Sequence, residues 1–254
     1  MKNIKNILII IPILLIISLS LAPIFKPTNL AYAQTSPCDN GQIVGSSQIL
    51  PVILIHGYAE PSNVWSTWEQ LLSQNNIPFC TVSFHQSDDE CGSSISHARE
   101  LAQIIQQVKD ITGQNEVNIV AHSKGGLDAR VYLADANTPD VANLIMIGTP
   151  NAGTPAALLD FTGCPSGSNS DLLPGSLATN AKQNIHTNYY TIAGLCNSNL
   201  WLDGFGIIND GLVPLSSVES LPNSTSLGNT FHCHTSLLNP DEYQETRPIL
   251  LNNR

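Results

Sequence analysis

Lysine and arginine are scarce in this chain: 10 residues against 20 aspartates and glutamates, for a formal net charge of −10. Neutralising a phosphate backbone, or docking on anionic lipid by charge, needs clustered cations, so neither is expected. No Cys-x-x-Cys pair occurs, which argues against a structural zinc site or a redox dithiol. No internal repeat is present, and no linker is long enough to divide the chain after its first 33 residues. The uncharged N-terminal run, Ile7 to Ala22, has 16 residues and is broken by Pro12, which is short for a spanning helix.

What is present begins with that run. Lys2 and Lys5 precede it, and Ala31-Tyr32-Ala33 fits a small-x-small cleavage site, so residues 1–33 read as a signal peptide. Secretion with cleavage after Ala33 is expected, and an uncleaved membrane anchor is the alternative. The leader carries Lys2, Lys5 and Lys26 and no acid, so its removal takes the net charge from −10 to about −13. Residues 34–254 are long enough for one domain with a sizeable core. All six cysteines, Cys38, Cys80, Cys91, Cys164, Cys196 and Cys233, follow the cleavage site. An even count in an exported chain predicts disulfides. Closing the shortest loops suggests Cys80–Cys91 and Cys164–Cys196, leaving Cys38–Cys233.

Apolar runs alternate with helical spacing, the pattern of an α/β sheet. Strands are expected at Leu50–Ile55, Phe79–Phe84, Val117–Ala121, Val141–Ile147 and Tyr189–Ala193. Ser94–Ile111 reads as a helix stopped by Gly113, and a last helix falls within Asp241–Leu251. Residues 151–187, rich in glycine, proline, serine and asparagine, read as a cap-like insertion.

Ala121-His122-Ser123-Lys124-Gly125-Gly126 joins a strand to a helix spaced from Leu127 to Ala134. A serine at the tip of so sharp a turn tolerates only small neighbours, and the helix start beneath it favours developing negative charge. Serine is a weak nucleophile until a base takes its proton, and the base needs an orienting acid. Beyond Ser123 lie His186, His232 and His234. The last two precede the final helix and, two apart, share a face if that segment is extended. Asp210, in Asn209-Asp210-Gly211, is an acid at a turn; Asp203-Gly204 is its rival. Asp128, one turn into the helix, reads as a local cap or ion-pair partner. The Lys124 N–H is one expected oxyanion donor, and the Tyr58 N–H, after Leu54-Ile55-His56-Gly57, is the other. His56 then braces the loop rather than acting as base.

The chain resembles the small secreted bacterial lipases and esterases of the α/β-hydrolase superfamily. The matching pieces are His56-Gly57, Ala121 to Gly126, Gly148 to Thr154, Leu172 to Ser176, Asn209 to Pro214 and His234 to Leu238. The resemblance implies an α/β-hydrolase fold with a mostly parallel sheet and helices on both faces. It implies a carboxylic ester hydrolase with Ser123 as nucleophile, Asp210 as acid, His234 as base, and Tyr58 and Lys124 as oxyanion donors. Larger members hold calcium through an aspartate soon after the base; here Thr235 and Ser236 follow, so neither metal nor cofactor is expected. Trp65, Phe161 and Phe205 are the expected substrate-binding residues, with Trp68, Leu158 and Trp201 as further apolar candidates. The expected partner is a small-molecule or lipid ester, met in solution or at a lipid–water interface by a monomer, with no nucleic acid. Acyl transfer to an alcohol by the same residues, or a non-catalytic binding role on the same fold, are the competing readings.

Overall fold

Val52–Ile55, Val117–His122 and Val141–Ile147 are buried at every position. Continuous burial of this kind marks parallel strands covered on both faces. The computed structural model describes residues 36–43, 48–135, 139–159, 164, 168–196 and 207–252. Residues 1–33, read above as a signal peptide, lie outside them, and 35–254 form one compact unit.

In chain order the strands are β1 (Asn40–Gln42), β2 (Val52–Ile55), β3 (Phe79–Thr81), β4 (Val117–His122), β5 (Val141–Ile147), β6 (Asn188–Gly194) and β7 (Thr225–Thr230). The α-helices are α1 (Ser66–Gln74), α2 (Ser94–Thr112), α3 (Lys124–Asp135), α4 (Leu215–Val218) and α5 (Pro240–Leu251). The strands form one sheet in the order β1-β3-β2-β4-β5-β6-β7. Only β1, at one edge, runs antiparallel; every other pairing is parallel. Successive side chains point to opposite faces, so each strand feeds two cores. Ile53, Ile55, Ile119 and Ala121 pack with Leu101, Ile105 and Val108 of α2 and Leu127 of α3. Val52, Leu54 and Val120 pack on the other face with Trp68 and Leu72 of α1 and Tyr243 and Leu250 of α5.

The helix ends follow local chemistry. Ser93 Oγ accepts the Ser96 N–H at 3.2 Å to start α2, and Gly113 ends it at φ +70°. Asn239 and Glu242 form a capping box at the start of α5, with Pro240 in its first turn. β3 stops at Thr81, short of the expected Phe84. The Val82 N–H still reaches the Leu54 carbonyl at 3.2 Å, but beyond it the chain leaves the ladder, and the Phe84 N–H is taken by the Asp89 carboxylate at 2.6 Å.

The disulfides differ from the pairing expected above. They join Cys38 to Cys80, Cys91 to Cys164, and Cys196 to Cys233. Sheet neighbours, not sequence neighbours, decide this. β1 lies on β3 with Gly41 opposite Cys80, which brings Cys38 to that strand. β6 and β7 are parallel and end together at Gly194 and Thr230, so Cys196 and Cys233 leave the same end of the sheet. Cys91, in the loop before α2, meets Cys164 of the 151–187 insertion. Among the described residues no helix is long and apolar enough to cross a membrane.

Candidate active site

β4 delivers Ser123 to the sheet's C-terminal edge, and α3 starts one residue later. Ser123 has φ +51°, a left-handed conformation that costs a non-glycine residue about 1–3 kcal/mol. Close packing over-determines it. A Cβ on Gly125 would come within 2.4 Å of the His56 carbonyl, and one on Gly126 within 2.1 Å of Thr149 Oγ1. The Ser123 N–H is held by the Ile147 carbonyl at 2.9 Å.

His234 and Asp210 meet Ser123 from loops that follow later strands. His234 Nε2 is 2.9 Å from Ser123 Oγ, and His234 Nδ1 is 2.7 Å from Asp210 Oδ2. The second Asp210 oxygen accepts the Leu212 and Val213 N–H groups at 3.0 and 2.7 Å, inside a turn closed by an Asn209–Pro214 bridge. The His234 N–H also donates to the Asp210 carbonyl at 2.8 Å, so the two residues are tied by backbone as well as side chain. Burial alone would raise the Asp210 carboxyl. The charge and hydrogen bond of His234, with the Val213 and Leu212 N–H groups, outweigh it and hold the carboxyl below its ordinary range. Burial alone would lower His234; the Asp210 charge and hydrogen bond, with a smaller contribution from Glu60, raise it instead.

His232 does not join this cluster. Cys233 is extended and His234 opens a 3-10 turn, so the face-sharing expected of an extended pair is lost. His232 Nδ1 instead meets Glu242 at 2.7 Å. Asp203, the rival acid, lies outside the described residues. His186 is exposed in the 151–187 insertion.

The Tyr58 and Lys124 N–H groups find no hydrogen-bond partner among the described residues, and Tyr58 borders the same cavity as Ser123 and His234. Behind Tyr58, His56 Nδ1 faces the Gly57 carbonyl at 3.0 Å and Nε2 faces Asp89 at 2.8 Å, the bracing contacts expected of it. The Lys124 side chain is buried. Its Nζ meets Asp128 at 2.7 Å, and the other Asp128 oxygen meets His97 Nδ1 at 2.8 Å. Asp128 therefore has a distant partner besides the local one expected. Burial would raise its carboxyl, but Lys124 and His97 hold it far below the carboxylate range.

Glu60 and its partner His122 were not among the residues expected at the site. Glu60 Oε2 accepts the Gly57 N–H at 2.8 Å and meets His122 Nδ1 at 2.7 Å; His122 Nε2 faces the His234 carbonyl at 3.1 Å. The signal was an acid three residues past Gly57, on the loop already suspected of forming the oxyanion site.

The cavity over Ser123 has a volume of about 270 Å³. Ala156, Ala157, Leu159, Leu172, Leu212 and Val213 give it apolar walls. Trp65, an expected substrate contact, is not among its described lining residues: it is buried in the core with its ring edge to face against Trp68, which in turn meets Tyr243 of α5 edge to face. Trp65, the residue before α1, and Trp68, in its first turn, fill the core rather than the cleft. Phe161, Phe205 and Trp201 lie outside the described residues, and Leu158 points to solvent at 73% exposure. Arg130 anchors the insertion's flanks to α3, donating to the carbonyls of Asn151, Thr179 and Ala181. Among the described residues no cluster of three or more histidine, cysteine or acidic side chains could hold a metal ion.

Residues 51–203, more than half of the chain, match the family model described as palmitoyl protein thioesterase; the match includes Ser123 and stops before Asp210 and His234. A triacylglycerol lipase of Pseudarthrobacter phenanthrenivorans is 34% identical over 112 residues, covering 41% of this chain and 34% of that protein. A triacylglycerol lipase of Burkholderia plantarii is 34% identical over the same length, covering 41% of this chain and 30% of that protein. The matched stretch thus spans about a third of each of these relatives. The mature Bacillus licheniformis lipase BlEst2 has the same fold, with a TM-score of 0.69 at 22% identity, over 84% of this chain and 95% of that one. The metagenomic carboxyl esterase MGS0156 aligns with a TM-score of 0.54 at 17% identity, over 83% of this chain and 75% of that one. With a parallel sheet presenting a strained serine at a strand-to-helix turn, and a family match across most of that sheet, the chain belongs to the palmitoyl protein thioesterase family of α/β-hydrolases.

Proposed function

We propose that the protein is an exported serine hydrolase that cleaves carboxylic esters through an acyl-enzyme on Ser123. The observation that carries this is the unbroken line Ser123 Oγ–His234 Nε2, His234 Nδ1–Asp210 Oδ2, at 2.9 and 2.7 Å. His234 Nε2 takes the Ser123 proton as Oγ attacks the acyl carbonyl, and Asp210 stabilises the imidazolium that forms. The carbonyl oxygen, now an anion, is received by the Tyr58 and Lys124 N–H groups, which no described residue occupies. His234 then returns the proton to the leaving alcohol, and water repeats the cycle on the acyl-enzyme. The acyl chain lies along the apolar walls of the 270 Å³ cavity, under the 151–187 cap.

Three disulfides support an oxidising compartment, in keeping with the leader read in residues 1–33. The family's description favours one further substrate type, a thioester, which the same atoms attack in the same way. The deciding experiment treats the purified, oxidised protein with a fluorophosphonate probe and measures turnover of p-nitrophenyl butyrate and a butyryl thioester. Labelling at Ser123 and turnover, both abolished in Ser123→Ala, are expected. Turnover that survives in Ser123→Ala, or a protein that neither labels nor hydrolyses, overturns the reading.

A further inference from the structure

Glu60 is the only carboxylate among the described residues lining the cavity over Ser123. A second cavity, about 330 Å³, opens beside it, and Glu60 and Thr235 border both spaces. The two differ in chemistry. The first is walled mainly by alanine, leucine and valine, whereas the second takes polar groups from Glu60, Thr67 of α1, His122, Thr235, Ser236 and Asn239.

The fold uses only half of the Glu60 carboxylate. Both donors, the Gly57 N–H and His122 Nδ1, bind Oε2, while Oε1 makes no hydrogen bond to any described residue. Two donors on one oxygen fix the group in place, and the side chain stays 20% exposed. Burial alone would raise its carboxyl; the His122 charge and hydrogen bond, the His234 charge and the Gly57 N–H outweigh that and hold it at about 2. A preset anion with one free oxygen in a partly solvated cleft attracts a hydroxyl or a cation and repels another anion.

We propose that this polar cavity is the alcohol subsite of the enzyme and that Glu60 is its specificity-determining residue, admitting uncharged or cationic alcohols and rejecting anionic ones. The inference rests on the ester-hydrolase reading above. It divides the substrate by polarity: the acyl chain lies against Ala156, Ala157 and Val213, and the alcohol lies against Glu60. The Gly57 N–H and His122 already bind one of the two oxygens and the group is partly solvated, so the discrimination on each side is about tenfold rather than larger.

The test compares kcat/KM for three butyrate esters of similar size. Their alcohols are choline, a cation; 3,3-dimethylbutan-1-ol, uncharged; and 3-sulfopropan-1-ol, an anion. In the wild type the choline ester is expected to exceed the sulfonate by about a hundredfold, with the neutral ester between. Glu60→Gln keeps the size and one acceptor oxygen but removes the charge, and should bring the three within about threefold of one another. Thr67→Lys adds a cation to the same cavity from the exposed start of α1, leaves the Glu60 bonds intact, and should narrow or reverse the order. Equal rates for all three esters in the wild type overturn the proposal. So does a Glu60→Gln variant in which all three fall together with their ratios unchanged, because Glu60 then only positions the loop. If none is hydrolysed in a Ser123-dependent way, the ester-hydrolase reading fails and this inference falls with it.

Discussion

Two histidine–carboxylate pairs lie ring against ring in this site: Asp210–His234 from the late strands, and Glu60–His122 from the early ones. Their ring centroids are 4.8 Å apart, and each Nδ1 is 2.7 Å from its carboxylate. What differs is the atom facing the other nitrogen. His234 Nε2 faces a hydroxyl, which can give up a proton. His122 Nε2 faces a carbonyl, which only accepts. A carbonyl can take a hydrogen bond but has no proton to give, so nothing stands in front of His122 Nε2 for it to deprotonate. What sets the proposed base apart from its neighbour is therefore the partner of the second nitrogen, not the carboxylate on the first.

The sharpest way to break this contrast is to remove each ring in turn. His234→Ala should lower kcat by about 10⁴-fold or more, because base and nucleophile act as a unit. His122→Ala should cost about tenfold to a hundredfold, through loosened placement of the His234 loop. Both are measured on p-nitrophenyl butyrate, and equal losses would mean that the two rings do not differ in role. Next come the acids: Asp210→Asn should reduce kcat by about 10³- to 10⁴-fold, by leaving His234 without its charge partner and in the wrong tautomer.

Glu60 links the two pairs through pH. In the proposed mechanism His234 acts as base only when neutral, so kcat/KM is expected to fall as pH drops through its raised pKa. The Glu60 charge contributes to that rise, so Glu60→Gln should move the acid limb of the profile to lower pH. A limb that stays in place would show that the Glu60 charge does not reach the base. The smallest effect belongs to His232→Ala. Its partner Glu242 keeps the Thr230 hydroxyl and the Asn239 N–H, so kcat should stay within about twofold and stability should fall by about 1 kcal/mol in urea titration.

The central strands were legible because burial on both faces leaves an unmistakable apolar run: Val141–Ile147 is the strand its sequence predicts, residue for residue. The serine turn was legible because close backbone approach demands small neighbours, and Gly125 and Gly126 carry that demand in one dimension. The structure brings Asp210 and His234, the acid and histidine that motif order singled out, into one line with Ser123. What stayed hidden depends on distance between strands. The disulfides follow sheet adjacency, which loop length along the chain does not report. Trp65 and Trp68 have an apolar character that suits a cleft or a core equally, and only the packing of α5 on α1 decides between them. Glu60 was hidden for the same reason, since its importance comes from His122, 62 residues away.

The buried trio beneath Ser123 carries a consequence for how this chain can diverge. Lys124, Asp128 and His97 are each almost fully removed from solvent and are joined through one carboxylate. Losing Lys124 or Asp128 strands the other's buried charge, at a cost of about 3–5 kcal/mol, and losing His97 leaves one buried Asp128 oxygen without a partner, at about 1–3 kcal/mol; either is a large share of a domain's whole stability. Replacing all three by apolar residues of similar volume is often neutral. Point substitutions one at a time must therefore cross a poorly folding intermediate, while the combined change would not. Lineages descended from this protein should keep the three together or lose them together, so the residue after the serine is held by its neighbours' history as much as by its own N–H.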